Sequence, residues 1–190
     1  MGRISLFGVV ATTLALATAN YSAASDFQIW LGELSRRAVQ DGVSPDLVSA
    51  AFRDLELSPE VIRLERKQPE FTETLSSYLD RVVPRARVSE GRKRMRRHRK
   101  ILDQIGAAYE VQPRFIVALW AIESDYGRYQ GRHPTVQSLA TLGFQGRRRQ
   151  FFQGELLHLL HVLEGENLDP SQLSGSWAGA IGQCQFMPSS

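Results

Sequence analysis

Cysteine is nearly absent: Cys184 is the only one in 190 residues. One cysteine excludes an internal disulfide, and none stands just after the N-terminal apolar run, where a lipid-anchored protein would carry it. Histidine is scarce too, with four in the chain. His158 and His161 have the i, i+3 spacing that can chelate, yet no further ligand stands out beyond Glu155 and Glu164 on the same stretch. His98 lies within a run of arginines, and His133 sits between Arg132 and Pro134. No metal site and no cofactor are expected. No Ser-His-Asp or Cys-His order suggests a protease, and no glycine-rich phosphate loop appears. Internal repeats, low-complexity linkers and long alternating apolar runs are also missing, so a β-rich fold is excluded. What remains is a mainly α chain, long enough for one modest domain with a real core.

The N-terminus carries Arg3, then an apolar run from Ile4 to Ala19, then small residues. Ala17-Thr18-Ala19 and Ser22-Ala23-Ala24 both suit a signal peptidase. This predicts a secretory signal peptide over residues 1–24 and a mature periplasmic domain over 25–190. An uncleaved anchor is the competing reading, but the run is short for a bilayer and rich in Ala and Thr. The protein is expected to be peripheral to the membrane at most.

Helical periodicity runs through the rest. Phe27, Trp30, Leu31, Leu34 and Ala38 recur at helical spacing, with Gly42 as a stop. Ser44-Pro45 and Ser58-Pro59 are cap-plus-first-turn signals, and the first opens a helix with Leu47, Val48, Ala51, Phe52 and Leu55 inward. One long helix is expected from Ser89 to Tyr109, with Ile101, Leu102, Ile105 and Tyr109 inward. Another is expected over Gln150–Glu164, ended by a turn at Asp169-Pro170. The least regular stretch is 69–89, a junction between an N-terminal helical subdomain and the rest. Arg85, Arg87, Arg92, Lys93, Arg94, Arg96, Arg97, Arg99 and Lys100 form a charge run, read as a solvated helix face. Behind an export signal, nucleic acid is not an expected partner.

Two segments carry the chemistry. Phe115 to Gly127 is an apolar run, entered at Pro113 and stopped by Gly127, that contains Glu123. Ile116, Trp120 and Glu123 share a helical face. A carboxylate beside an indole on an apolar face loses solvation, which favours its protonated form and makes it a candidate proton donor. The other reading is a helix-end glutamate paired with an arginine such as Arg128. The second segment, Ser174 to Ser190, is small, glycine-rich and aromatic. Gln183 and Gln185 offer amides suited to sugar hydroxyls and acetamido groups, and Phe186 and Met187 offer apolar surface. A tight helix–turn crossing in a core remains equally open here.

Taken together, Ala121-Ile122-Glu123-Ser124-Asp125-Tyr126-Gly127 and Ala178-Gly179-Ala180-Ile181-Gly182-Gln183-Cys184-Gln185-Phe186-Met187-Pro188-Ser189-Ser190 resemble the lytic murein transglycosylases of the membrane-bound B type. Thr135 to Leu142, Arg147 to Phe152 and Gln68-Pro69-Glu70-Phe71 extend the resemblance from about Asp26 to the last residue. It implies a lysozyme-like helical catalytic domain with an N-terminal helical subdomain. It implies cleavage of the β-1,4 bond between N-acetylmuramic acid and N-acetylglucosamine, with a 1,6-anhydro product. Glu123 would serve as general acid and then general base. Ser176 would orient that acid or bind an acetamido group. Gln185, Phe186 and Met187 would contact sugar. Ser124 would orient the helix end or Glu123, and Cys184 stands where glycine is common in relatives. The partners implied are peptidoglycan glycan strands and other cell-wall enzymes. The basic face would be drawn to peptide carboxylates of the wall.

The resemblance also implies a departure. Relatives continue well beyond Pro188-Ser189-Ser190, through further cleft helices and, in some, a calcium-binding loop. The C-terminal part of the catalytic domain is therefore expected to be missing, as in a truncated product, half of a split gene or a fragment, and this chain alone is expected to be weakly active or inactive. A non-catalytic peptidoglycan-binding or scaffold remnant is the alternative function. A secreted basic interaction protein with no sugar site is a third.

Overall fold

Serine and proline set the first helix starts. Ser44 Oγ accepts from the Leu47 N–H and Ser58 Oγ from the Val61 N–H, each at 3.3 Å, ahead of a proline in the first turn. The computed structural model describes the backbone of residues 7–67 and 74–190, with side chains from residue 24 onward. The expected start of the leader at Arg3 and the Gln68-Pro69-Glu70-Phe71 motif lie outside the described residues.

The helices are α1 (Phe7–Gln40), α2 (Pro45–Phe52), α3 (Pro59–Arg66), α4 (Leu75–Val82), α5 (Arg85–Arg97), α6 (Arg99–Ala108), α7 (Pro113–Ser124), α8 (Thr135–Gln145) and α9 (Arg149–Gly165). A 3-10 turn follows at Pro170–Gln172. Two short strands, β1 (His133–Pro134) and β2 (Ser174–Gly175), pair antiparallel with His133 opposite Gly175. The chain is mainly α, as its periodicity predicts. The expected 24/25 boundary falls inside α1, which runs through it unbroken. Among the described residues no helix is long and apolar enough to cross a membrane.

The helices bury two apolar clusters. The larger joins α1, α2 and α3 to α8 and α9, around Phe27, Leu31, Leu139, Leu156, Leu159 and Leu160. Phe27, Trp30 and Phe144 stack edge and face within it. The smaller joins α5, α6 and α7 around Leu102, Val117, Ala121 and Tyr126.

Two expectations need correction. The long helix from Ser89 to Tyr109 is two helices that begin earlier, at Arg85, and break at His98 (φ −105°, ψ 19°). Ile101 and Tyr109 point to solvent, while of the four only Leu102 is buried. The small cluster has room for one such layer from α6. Helix α8 covers a stretch for which periodicity gave no expectation, because Thr135, Ser138 and Thr141 interrupt its apolar pattern. These three polar residues are nevertheless buried, and Thr141 Oγ1 accepts from the Ser58 N–H at 3.0 Å.

Candidate active site

Helix α7 begins at Pro113, whose missing N–H has no intrahelical partner to lose. It ends on three successive residues with positive φ: Asp125 (49°), Tyr126 (61°) and Gly127 (84°). Such a run is costly for residues with a Cβ, so something must hold it. The Asp125 N–H bonds to Ala121 O and the Tyr126 N–H to Trp120 O. Tyr126 is buried, and its hydroxyl donates to Arg87 O at 2.6 Å. Burial, reinforced by the Asp125 charge, pushes the Tyr126 phenol above its ordinary value. Asp125 pairs with Arg87 at 3.5 Å and Arg128 at 3.2 Å.

Glu123 sits in the last turn of α7. Only one face of the helix, Val117, Ala121 and Ser124, is buried. The expectation of an apolar, desolvated Glu123 fails: its side chain is exposed, as are Phe115, Leu119 and Ile122. The reason is that α7 packs against α5 and α6 and meets the C-terminal loop through Trp120 and Ser124, which leaves the side chain of Glu123 facing solvent. The bland alternative fails as well. Arg128 pairs with Asp125, and among the described residues Glu123 makes no hydrogen bond or ion pair.

The glycine-rich C-terminal loop is pinned to this helix end. Ser124 is buried; its Oγ donates to Gln183 O at 2.5 Å and accepts from the Gly127 N–H at 2.9 Å. Ser124 thus orients the helix end, as the sequence suggested. The Trp120 indole donates to Gln183 Oε1 at 2.7 Å. Gly127 leaves room for that amide: a Cβ there would lie 2.6 Å from Gln183 Oε1. Trp120 also meets Tyr126 edge-on, with Arg94 lying over both rings and held by Glu90 at 2.8 Å. That bond to Arg94 holds the Glu90 carboxyl below its ordinary value.

The other anticipated residues take these places. Ser176 Oγ accepts from the Ala180 N–H at 3.0 Å and braces its own turn; no hydrogen bond joins it to Glu123. Gln185 has φ of 49° and spends its amide N–H on Gln130 O (3.0 Å) and Gly182 O (2.8 Å). Phe186 is 61% exposed, while its backbone pairs with Ile181. Met187 packs on the larger cluster. Buried Glu155 fixes the segment after Met187, with Oε2 accepting from the Ser189 N–H at 3.0 Å and Oε1 from the Ser189 hydroxyl at 2.7 Å. The sequence did not signal that anchor, nor the Trp120–Gln183 bond, because each joins residues far apart in the chain. His158 and His161 are both exposed on α9, Glu155 is engaged by Ser189, and Glu164 accepts from Ser44. Among the described residues no group of three His, Cys, Asp or Glu could hold a metal ion.

A helix-borne carboxylate with no partner among the described residues thus stands on the helix end to which the glycine-rich loop is latched. The chain belongs to the transglycosylase SLT domain family, whose model matches residues 26–190. It is 42% identical over 90 residues to membrane-bound lytic murein transglycosylase B of Escherichia coli (strain K12), over 47% of this chain and 25% of that protein. It resembles SltB3 from Pseudomonas aeruginosa, solved in complex with NAG-NAM-pentapeptide, with a TM-score of 0.81 and 36% identity over 86% of this chain and 44% of that one. SltB1 from the same organism matches with a TM-score of 0.79 and 29% identity, over 84% of this chain and 55% of that one. The chain therefore spans between a quarter and about half of these relatives.

Proposed function

We propose that the protein is a lytic transglycosylase acting on peptidoglycan, with Glu123 as its single acid and base. The observation that carries this reading is the unpaired, solvent-facing Glu123 in a helix end that is otherwise fully engaged. Family membership and the likeness to SltB3, solved with NAG-NAM-pentapeptide and with NAG-anhNAM-pentapeptide, support it. Glu123 would give its proton to the glycosidic oxygen as the bond to the muramoyl anomeric carbon breaks. The muramoyl 6-hydroxyl would then bond to that carbon and return its proton to Glu123, leaving a 1,6-anhydro ring. Atoms balance without water. Ordinary glycosidases need a second carboxyl group roughly 5–9 Å away. The nearest in sequence, Asp125, is held by Arg87 and Arg128. A substrate that carries its own nucleophile removes the need for it. Ser176, Gln185, Phe186 and Met187 are proposed to line the sugar path.

Glu123→Gln preserves shape and abolishes proton exchange. Release of anhydromuropeptides from purified sacculi should fall by a factor on the order of 10²–10⁴. Release at the unmodified rate by the variant would remove Glu123 from the role. That Ser176 braces its own turn and makes no hydrogen bond to Glu123 favours a second reading, peptidoglycan binding without turnover. Sacculus binding with no anhydro product from either form would establish that one instead.

Action in the periplasm, after removal of a leader over residues 1–24, belongs to the same proposal. N-terminal sequencing of the exported protein should begin near Asn20 or Ser25. A protein still beginning at Met1 or Gly2 would count against cleavage.

A further inference from the structure

Gln183 is exposed at the tip of the C-terminal loop, yet it is held at three points: its amide oxygen by the Trp120 indole, its backbone carbonyl by Ser124, and its side chain against Gly127. Amide oxygen and nitrogen are hard to tell apart by shape, but here chemistry assigns them. An indole N–H can only donate, so the oxygen must face Trp120. The amide nitrogen therefore points away from Trp120, and among the described residues it donates to nothing. Glu123 lies three residues after Trp120 and one before Ser124, beside the face that Gln183 covers. The result is a pair of oriented, solvent-facing donors at the helix end that carries the free carboxylate.

We propose that Gln183 is a specificity-determining residue that donates from Nε2 to the acetamido carbonyl of a bound N-acetylhexosamine, with Trp120 fixing the direction of donation. This deepens the transglycosylase reading and rests on it. Sugar hydroxyls donate as well as accept, so a donor discriminates among them weakly. An acetamido carbonyl only accepts, and removing the acetyl group replaces it with a cationic amine. A fixed donor therefore selects for N-acetylated sugar and against the free amine. The neighbouring Gln185 cannot share the task through its nitrogen, which is spent on Gln130 and Gly182.

Two variants separate latch from donor. Gln183→Glu keeps an acceptor for the indole and removes both N–H donors; Gln183→Leu removes both functions. The probes are the β-1,4-linked N-acetylglucosamine tetramer and its N-deacetylated counterpart, titrated against the full chain. The Trp120 indole ¹⁵N–¹H resonance, assigned with Trp120→Phe, reports the latch. The resonance should stay near its wild-type position in Gln183→Glu and move in Gln183→Leu. Gln183→Glu should weaken binding of the N-acetylated tetramer about tenfold, the scale of one neutral hydrogen bond. It should also lose or reverse the preference over the free amine. Wild-type affinity and preference in Gln183→Glu, an unmoved indole in Gln183→Leu, or no binding of either tetramer by the wild type would each overturn the assignment. The sacculus assay separates the two proposals. Binding that depends on Gln183 without anhydro product sinks only the transglycosylase reading. Glu123-dependent release unaffected by Gln183→Glu sinks only the role given to Gln183.

Discussion

The cluster that joins α1–α3 to α8 and α9 and the cluster that joins α5–α7 are built by opposite means. In the first, Ala38, Leu139, Leu156, Leu159, Leu160 and Leu163 are wholly sealed from solvent. Their helices bring apolar faces from both ends of the chain together, and stability there comes from area removed from water. In the second, no apolar residue is sealed to that degree, and Leu102 keeps 8% of its surface exposed. What holds it is directional: the Tyr126 hydroxyl on Arg87 O, Arg94 over two rings, Asp125 between two arginines, and Ser124 and Trp120 on Gln183. The candidate acid belongs to the second region. A site needs an open helix face, and an open face cannot also be a deep core. The large cluster supplies the frame, while the small one sacrifices burial for an exposed carboxylate with fixed neighbours.

The largest effect that follows concerns burial. Leu159→Ala should cost about 2–5 kcal/mol, because it opens a cavity in a sealed layer. Leu102→Ala should cost less, since its site is part-open and water or neighbours can fill the gap. Urea denaturation of the two variants measures both costs, and native-state hydrogen exchange should show α7 amides opening before those of α8 and α9. Equal losses with coincident exchange would mean that the two regions form one core and would break the comparison.

A smaller effect sharpens it. Tyr126→Phe removes one buried hydrogen bond in the small cluster and should cost about 0.5–1.5 kcal/mol near neutral pH. The phenol's folded value lies above the ordinary 10.0, chiefly because burial disfavours the phenolate. Its contribution is therefore complete below pH 10.0 and is lost as the pH rises through the folded value. Stability curves of wild type and Tyr126→Phe should converge above that range. A constant gap up to the alkaline limit would show that Tyr126 does not titrate with unfolding.

Much of the frame was legible in the chain. The i, i+3, i+4 pattern of Phe27, Trp30, Leu31, Leu34 and Ala38 marked the buried face of α1, and Ser44-Pro45 and Ser58-Pro59 marked two helix starts that the backbone bonds bear out. Periodicity and capping depend on residues a few positions apart, so they survive in sequence. The ordered motifs around Glu123 and Ser174–Ser190 likewise sufficed to point to the family. The sequence could not say whether the apolar run of α7 would be covered, and it suggested burial for a carboxylate that lies in the open. Nor could it pair Ser124 and Trp120 with Gln183, Asp125 with Arg87, or Glu155 with Ser189. Those contacts join residues 34 to 63 positions apart or link separate helices. Local pattern determined which segments are helical and which faces are apolar. Only tertiary packing decided which of those faces found a partner, and so left Glu123 facing solvent.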